Sequence, residues 1–204
     1  MRTQARIAVI GTNKTGKTTY AIEFAKDAIS KDRKVFIFNL GGEKKWYDLA
    51  KPVPREKWHK EKIIHVDSSF LSIRNKITPS VLIEYFLQFI VEKEIKHGLI
   101  IIDDAAGVIP AQKMEYLKIC MIQSRQKDLD YLLLFHSLNE IPNSIVSNIT
   151  HYAVGYTRGV NNTAQNKIPL SVIKLSEKIN NFIETKGGFI EKGENNYLRK
   201  IIAV

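Results

Sequence analysis

The chain has 204 residues, and its 31 lysines and arginines outnumber its 21 acidic residues, giving a formal charge of +10 at pH 7. This length predicts one domain spanning residues 1–204, and the charge favours a polyanionic partner, either nucleic acid or an anionic membrane surface. The single cysteine, Cys120, excludes an internal disulfide. With no apolar segment long enough for a signal peptide or a membrane span, we expect a soluble, cytoplasmic protein.

Short apolar runs rich in β-branched residues alternate along the chain with segments of helical periodicity. This alternation is typical of an α/β fold in which helices cover both faces of a mostly parallel sheet. The predicted strands, in chain order, are Arg6–Gly11, Lys34–Leu40, Lys62–Asp67, Leu99–Asp103, Tyr131–Ser137 and Tyr152–Thr157.

Three helices are predicted between these strands. The first has an apolar stripe at helical spacing, formed by Ala21, Phe24, Ala25 and Ala28. The second begins with Thr78 as N-cap and Pro79 as first helical residue, and its expected buried face is Leu82, Tyr85, Phe86 and Phe89. The third is shorter and is predicted over Ala111–Gln126, with Cys120 filling the core.

The C-terminal part of the chain changes character after the last predicted strand. Residues 159–169 are polar and are predicted to form a surface loop, followed by a helix over Leu170–Phe182. The remaining residues alternate around the turn sequence EKGENN, which predicts an antiparallel β-hairpin at the edge of the sheet. We therefore expect a core over residues 5–158 and a C-terminal helix and hairpin over residues 159–204.

The segment between the first strand and the first helix, GTNKTGKT, fits the phosphate-binding pattern G-x-x-x-x-G-K-[ST] at every position. Consecutive backbone N–H groups in such a loop point at phosphate oxygens, and the helix N-terminus adds partial positive charge. Lys17 would contact the β- and γ-phosphates of ATP, and the Thr18 hydroxyl would bind Mg²⁺. The predicted nucleotide-binding residues are Gly11, Thr12, Asn13, Lys14, Thr15, Gly16, Lys17, Thr18 and Thr19.

Two acids, Asp103 and Asp104, end the most apolar strand. We predict that Asp103 holds Mg²⁺, directly or through water, and that Asp104 activates the attacking water as general base. The carboxyl ends of strands in α/β sheets open toward the ligand crevice, which favours these roles over a solvated pair of acids. Most sites of this kind have glutamate as the second acid, so Asp104 is one methylene shorter than the usual base.

A phosphate-binding loop indicates a nucleotide but not a reaction. The Asn-Lys-x-Asp motif of GTPases is absent, and the arginines are too scattered to form the lid of a small-molecule kinase. Instead, the strand YLLLFHS follows the Asp-Asp strand and ends in polar residues. In the additional-strand class of P-loop ATPases, such a strand lies between the P-loop strand and the Asp-Asp strand and carries a γ-phosphate sensor.

The P-loop together with NLGGE, IIIDDA, SRQKDLDYLLLFHS and NITHYAVGYTR resembles the FtsK/HerA superfamily of DNA-pumping ATPases. Within that superfamily, the small genome-packaging ATPases of internal-membrane viruses are the most similar in length and layout. The resemblance extends from Arg6 to Arg158, and the C-terminal hairpin also suits this subfamily. It implies an additional-strand, RecA-like fold that hydrolyses ATP to move double-stranded DNA regardless of sequence.

The resemblance also implies roles for further residues. His136 stands where these ATPases usually have a sensor glutamine, and Ser137 or Asn139 could share that task. Arg125 matches the arginine that is presented to the nucleotide of a neighbouring subunit, which implies a homo-oligomeric ring, a pentamer or a hexamer. Asn39 occupies a position where the family often has an acid. His136 is alternatively an ordinary strand-end residue, and Arg125 a lone surface arginine.

Two segments are candidates for contact with DNA. Between Lys44 and Lys62, seven basic residues outnumber three acids and are interleaved with Trp46, Tyr47 and Trp58. Basic residues neutralise phosphates and aromatic residues stack on bases, although the tryptophans could equally pack on the core. The second segment follows Asp104 and includes Lys113 and Lys118.

The sequence thus predicts an ATP-driven translocase of double-stranded DNA, in particular a viral genome-packaging ATPase acting in the cytoplasm or at a capsid vertex. A capsid-vertex or portal protein is a candidate partner. One alternative is a Zot-like phage assembly or secretion ATPase, which normally carries a transmembrane segment. Others are a nucleotide or small-molecule kinase, which needs an acceptor, and a nucleotide-dependent switch with slow turnover.

Overall fold

A single β-sheet organises the computed structural model, which describes residues 4–109, 115–187 and 198–204. Within these residues the sheet has seven strands in the order β3-β2-β4-β5-β1-β6-β7. The strands are β1 (Arg6–Ile10), β2 (Lys34–Asn39), β3 (Ile63–Asp67), β4 (Gly98–Asp103), β5 (Leu129–Phe135), β6 (His151–Val154) and β7 (Lys200–Ala203). Neighbouring strands from β1 to β6 pair in parallel, and β7 pairs antiparallel with β6. The predicted α/β class is confirmed.

Helices follow most strands, as the periodicity predicts. They are α1 (Lys17–Ser30), α2 (Lys45–Leu49), α3 (Pro79–Glu92), α4 (Ala105–Val108), α5 (Glu115–Lys127), α6 (Asn143–Val146), α7 (Asn162–Gln165) and α8 (Leu170–Thr185). Thr78 caps α3 as predicted, because its side chain accepts a hydrogen bond from the backbone N–H of Val81. Single 3₁₀ turns lie at Arg55–Lys57, Ser68–Phe70 and Leu138–Glu140.

The core lies on both faces of the sheet because alternate residues of each buried strand point to opposite sides. On one face, strand residues such as Val9, Ile37 and Ile101 pack with the alanine stripe of α1 and with Trp46. On the other face, Phe38, Ile102 and Phe135 belong to a larger cluster that includes residues of α3, α5 and α8. Burial on both faces explains why β4 is apolar up to Ile102 and β5 is apolar from Tyr131 to Phe135.

The order of the strands confirms the central topological prediction. Strand β5 lies between β1 and β4 and pairs in parallel with both. The P-loop, the Asp-Asp pair and the end of β5 therefore meet at one edge of the sheet, where the carboxyl ends of parallel strands converge.

Local predictions differ from the structure at several points. Tyr85 is 37% exposed and lies under the guanidinium of Arg55, whereas Ile83, Leu87 and Ile90 complete the buried face of α3. The predicted loop at residues 159–169 contains α7, which is capped by Asn161. Strand β7 supplies one strand of the predicted hairpin at the sheet edge, while its turn and most of its first strand lie outside the described residues.

Candidate nucleotide-binding site

The P-loop connects β1 to α1 and is tied to the neighbouring strands. Gly11 N donates to the carbonyl of Phe135 at 3.2 Å, and Thr12 N donates to that of Tyr156 at 2.8 Å. A Cβ at Gly11 would lie 2.4 Å from the Thr15 hydroxyl oxygen, and Gly16 adopts a left-handed conformation with φ of 74°. Gly16 is therefore required by its backbone conformation, and Gly11 by the close approach of the Thr15 side chain.

Lys17 begins α1, and its ammonium group folds back over the loop. It donates to the carbonyls of Gly11 and Thr12 at 2.7 and 3.1 Å, and it lies 3.2 Å from Nδ1 of His136. Burial lowers the pKa of Lys17 to about 8, against the opposing influence of the nearby Asp103 carboxylate. The residue is thus held at the base of the cleft with a destabilised charge that an anionic ligand would compensate.

Asp103 is buried at the end of β4 and faces α1. Its Oδ2 accepts hydrogen bonds from the Thr18 hydroxyl at 3.0 Å and from the indole Nε1 of Trp46 at 2.7 Å. Its Oδ1 accepts from the backbone N–H of Asp104 at 3.0 Å. The two residues predicted to bind Mg²⁺ are therefore in direct contact, although 85 residues separate them in the sequence.

The oxygen donors at this point suit a magnesium ion. Thr18 and Asp103 offer a hydroxyl and a carboxylate beside the loop, and Mg²⁺ in nucleotide sites typically takes few protein ligands and completes its shell with phosphate oxygens and water. In the described parts of the chain, no group of three or more His, Cys, Asp or Glu residues could enclose a metal by itself. The donor set thus fits a metal ion that arrives with a nucleotide.

Asp104 and His136 face each other across the cleft. Asp104 is the N-cap of α4 and has the left-handed φ of 53°, a conformation that costs free energy for a residue other than glycine. Its Oδ1 lies 3.4 Å from Nε2 of His136. Because the Lys17 ammonium can only donate to Nδ1, the imidazole proton belongs on Nε2, where it points at Asp104.

The structure places the three predicted candidates for the γ-phosphate sensor in different surroundings. His136 lines the cleft, whereas Ser137 is buried and caps the 3₁₀ turn at Leu138–Glu140 together with Glu140. The Asn139 side chain bonds Gly159 and Asn161. Asn39, another departure from the family pattern, bonds Glu43 and the buried imidazole of His65. Only His136 of the three candidates reaches Lys17 and Asp104.

Arg125 lies far from this cleft in its own chain. It is exposed in the last turn of α5, just before β5 begins, and so it lies toward the edge of the sheet opposite the P-loop. Ile122, one turn earlier on the same helix, is a large apolar residue that is 58% exposed. Arg125 is therefore not among the described residues that line the cleft of its own chain.

The basic segment from Lys44 to Lys62 does not offer its tryptophans to a ligand. Trp46 and Trp58 are 0% and 1% exposed, so the hypothesis that they stack on bases is wrong and the alternative of core packing is correct. Tyr47 is 39% exposed, but its hydroxyl bonds Asp67 at 2.5 Å. Lys118 is exposed on α5, while Lys113 lies outside the described residues.

Lys45 and Arg199 are at the site but are not among the residues predicted from the sequence. Lys45, in α2, donates to the Thr19 hydroxyl at 2.9 Å and lines the cleft. Arg199, next to β7, donates to the carbonyl of Thr15 at 3.3 Å and lies 5.3 Å from the Tyr20 ring centroid. Burial lowers the pKa of Arg199 to about 10. No local motif marks either residue, since each is brought to the loop by the fold.

Together these groups surround a polar cleft of about 520 Å³. Its walls come from the P-loop, the segment after β2, and the ends of β4 and β5; the lining residues include Asn13, Lys17, Thr18, Gly41, Glu43, Lys45, Asp103, Asp104 and His136. A parallel sheet with a glycine-bounded loop, an adjacent lysine and threonine, and an aspartate on the facing strand defines a P-loop NTPase fold.

The family is shown by the sequence of the same region. The profile of the family described as zonular occludens toxin (Zot) matches residues 7–168, which include the whole cleft described above. The chain therefore belongs to the Zot family. No curated protein sequence matches this chain closely enough to count as a relative.

Two solved structures of a viral packaging NTPase show the same fold at low sequence identity. The genome packaging NTPase B204 from Sulfolobus turreted icosahedral virus 2, in complex with ATP-gammaS, is similar with a TM-score of 0.70 and 16% identity, over 100% of this chain and 94% of that one. A second structure, of B204, the DNA-packaging ATPase from Sulfolobus turreted icosahedral virus, has a TM-score of 0.64 and 14% identity, with 98% of each chain covered. The N-terminal domain of zonular occludens toxin from Neisseria meningitidis has a TM-score of 0.48 and 17% identity, over 79% of this chain and 80% of that one.

Proposed function

We propose that this protein is an ATPase that moves double-stranded DNA, as a genome-packaging motor of a virus, and that it works as a ring of five or six identical subunits. The single observation that carries the ATPase proposal is the contact of Thr18, in the helix that follows β1, with Asp103 at the end of β4, beside the Lys17 ammonium. Strand β5 is inserted between β1 and β4. Similarity in fold to a packaging NTPase and the charge of +10 support DNA as the substrate.

Each group in the cleft has a proposed task. The backbone N–H groups of the P-loop and the Lys17 ammonium bind the phosphates, while Thr18 and Asp103 hold Mg²⁺. When bound, this ion neutralises charge on the β- and γ-phosphates. Asp104 accepts a proton from the attacking water. His136 orients Asp104, and it acts as the sensor because its hydrogen bond to Lys17 breaks when the γ-phosphate binds.

In this proposal, the Lys17 ammonium moves from His136 to the γ-phosphate when ATP binds. Its ammonium has three acceptors, namely two loop carbonyls and His136. A γ-phosphate oxygen is a stronger, charged acceptor, so binding would draw the ammonium away from the imidazole. His136 then has a free Nδ1 and keeps its Nε2 proton toward Asp104, which links occupancy of the phosphate site to the base.

The first test is steady-state ATP hydrolysis with and without linear duplex DNA. We expect duplex DNA to raise the rate whatever its sequence, and this stimulation to disappear at high salt because phosphate contacts depend on counterion release. In parallel, a free nucleoside or nucleotide is offered as phosphate acceptor, and its phosphorylation would identify a kinase. An ATP hydrolysis rate that is the same with and without duplex DNA at low salt would contradict the translocase proposal.

Membership in the Zot family supports a second candidate, a phage assembly or secretion ATPase acting at a membrane. In the described parts of the chain, every helix is too short or too polar to cross a bilayer. The two candidates differ in their activator: the packaging motor responds to linear duplex DNA, whereas the assembly ATPase responds to anionic lipid vesicles or a membrane partner. Parallel ATPase assays with each activator distinguish them.

The lowered pKa of Lys17 predicts a specific pH dependence of nucleotide binding. The free protein loses the Lys17 proton as the pH rises through about 8. The bound phosphate stabilises the ammonium, so the complex keeps the proton to higher pH. The ATP dissociation constant should thus be flat below pH 8 and rise by up to about tenfold per pH unit above it.

Calorimetric titration between pH 6.5 and 9.5 in buffers of different ionisation enthalpy measures both the affinity and the proton uptake. Lys17→Met is the matched control, because it removes the titrating group and should bind weakly with little change over this range. Equal affinity of the wild-type protein at pH 7 and pH 9.5 would contradict this predicted pH dependence.

A further inference from the structure

A buried tryptophan is built into the proposed metal site. Trp46 lies in α2, is 0% exposed, and packs in the core cluster that contains the alanine stripe of α1. Its indole Nε1–H donates to Oδ2 of Asp103 at 2.7 Å, the oxygen that also accepts from Thr18. A buried hydrogen bond to a charged acceptor is among the stronger polar interactions in a protein.

The donors to Asp103 differ in what they can do when a metal ion binds. The Thr18 hydroxyl offers lone pairs and is itself a proposed ligand, so its orientation changes with the ion. The indole is a donor only and cannot ligate a cation. It can therefore hold Asp103 in one orientation whether or not the ion is present, together with the backbone N–H of Asp104, which fixes the other oxygen.

The segment that contains Trp46 also contacts the phosphate-binding helix. Its neighbour Lys45 donates to the Thr19 hydroxyl at 2.9 Å, and Glu43 N donates to the Asn39 side chain at the end of β2. The segment after β2 is thereby fixed to α1, to β2 and to Asp103. This places the indole rigidly relative to both proposed metal ligands.

We infer that Trp46 is a positioning residue for the metal-nucleotide site, orienting the Asp103 carboxylate for Mg²⁺ through its indole N–H. The inference rests on the proposed function, in which Asp103 holds the metal ion. Hydrogen-bond partners of metal ligands typically contribute about 10- to 100-fold to metal affinity. Loss of the indole should therefore weaken the response to Mg²⁺ without altering the P-loop itself.

The chain provides a matched control in its other tryptophan. Trp58 is 1% exposed, and its indole Nε1 donates to the carbonyl of Val53 at 2.7 Å. Trp58→Phe thus removes an equally buried indole and one hydrogen bond of the same length, but away from the cleft. We expect Trp46→Phe to raise the Mg²⁺ concentration for half-maximal ATP hydrolysis by about 10-fold or more, and Trp58→Phe to leave it unchanged.

Binding measurements separate positioning from general destabilisation. In EDTA, wild-type protein and Trp46→Phe should bind ATP-gammaS with similar affinity, and only the gain in affinity on adding Mg²⁺ should shrink in the variant. If Trp46→Phe and Trp58→Phe changed the Mg²⁺-dependent gain in affinity equally, the inference would be overturned while the proposed metal site remained in place. If Mg²⁺ did not change the nucleotide affinity of the wild-type protein, the proposed role of Asp103 would instead be overturned.

Fluorescence provides a readout that does not depend on the folding of Trp46→Phe. The sequence has two tryptophans, so Trp58→Phe leaves Trp46 as the sole indole. Adding Mg²⁺ to this variant saturated with ATP-gammaS should change the emission of Trp46, because the charge next to its Nε1–H changes. Constant emission during a titration that measurably tightens nucleotide binding would contradict the inference.

Discussion

Replacing Arg125 with alanine is expected to lower the ATPase rate of assembled protein by about 10³-fold or more, the range measured for arginines that stabilise the transition state of phosphoryl transfer. The residue is exposed at the end of α5, toward the edge of the sheet opposite the P-loop. Its proposed site of action is the nucleotide of a neighbouring subunit, so binding of ATP should be little changed. Arg74→Ala, which removes another exposed arginine, is the control.

Mixing two inactive variants tests directly whether Arg125 acts between subunits. Lys17→Ala subunits keep Arg125, and Arg125→Ala subunits keep an intact P-loop. If the arginine acts in trans, mixed assemblies contain complete sites at some interfaces, and activity should partly return. No recovery in verified mixed assemblies, or full activity of Arg125→Ala alone, would show that the ring mechanism is wrong.

Replacing Lys17 with alanine is expected to reduce ATP hydrolysis by about 10²- to 10³-fold, the usual loss when one donor that stabilises transition-state charge is removed. Nucleotide affinity should fall as well, because the ammonium is proposed to contact the β- and γ-phosphates. The control is Lys26→Ala on the same helix, which removes an exposed lysine paired with Glu23. ATPase activity above half of the wild-type rate would contradict the role of Lys17.

Replacing Lys17 with methionine should affect stability in the opposite direction from activity. Burial lowers the pKa of Lys17 to about 8, which means that the ligand-free fold holds the ammonium at a free-energy cost at neutral pH. The melting temperature of Lys17→Met without nucleotide should therefore equal or exceed that of the wild-type protein. ATP should raise the melting temperature of the wild-type protein much more than that of the variant.

The sequence alone determined the features that depend on local patterns. Gly11 and Gly16, with Lys17 and Thr18 between strand and helix, identify the P-loop. Glycine is needed at the first position for the close approach of Thr15 and at the second for a left-handed backbone. The continuous apolar character of β4 indicates burial on both faces, and this predicts that Asp103 lies at the crevice edge of a parallel sheet. Thr78 and Pro79 likewise mark the start of α3 without tertiary information.

Only the tertiary structure decided which distant residues complete the site. Trp46 reads as part of a basic, aromatic segment that suits DNA, yet the fold buries it and points its indole at Asp103, 57 residues away. Arg199 reaches the P-loop because β7 adds to the sheet beside β6. Such contacts depend on strand order and on the packing of short connecting helices, which local periodicity does not encode. The cleft is therefore predictable from its motif, and the residues that orient its acids are not.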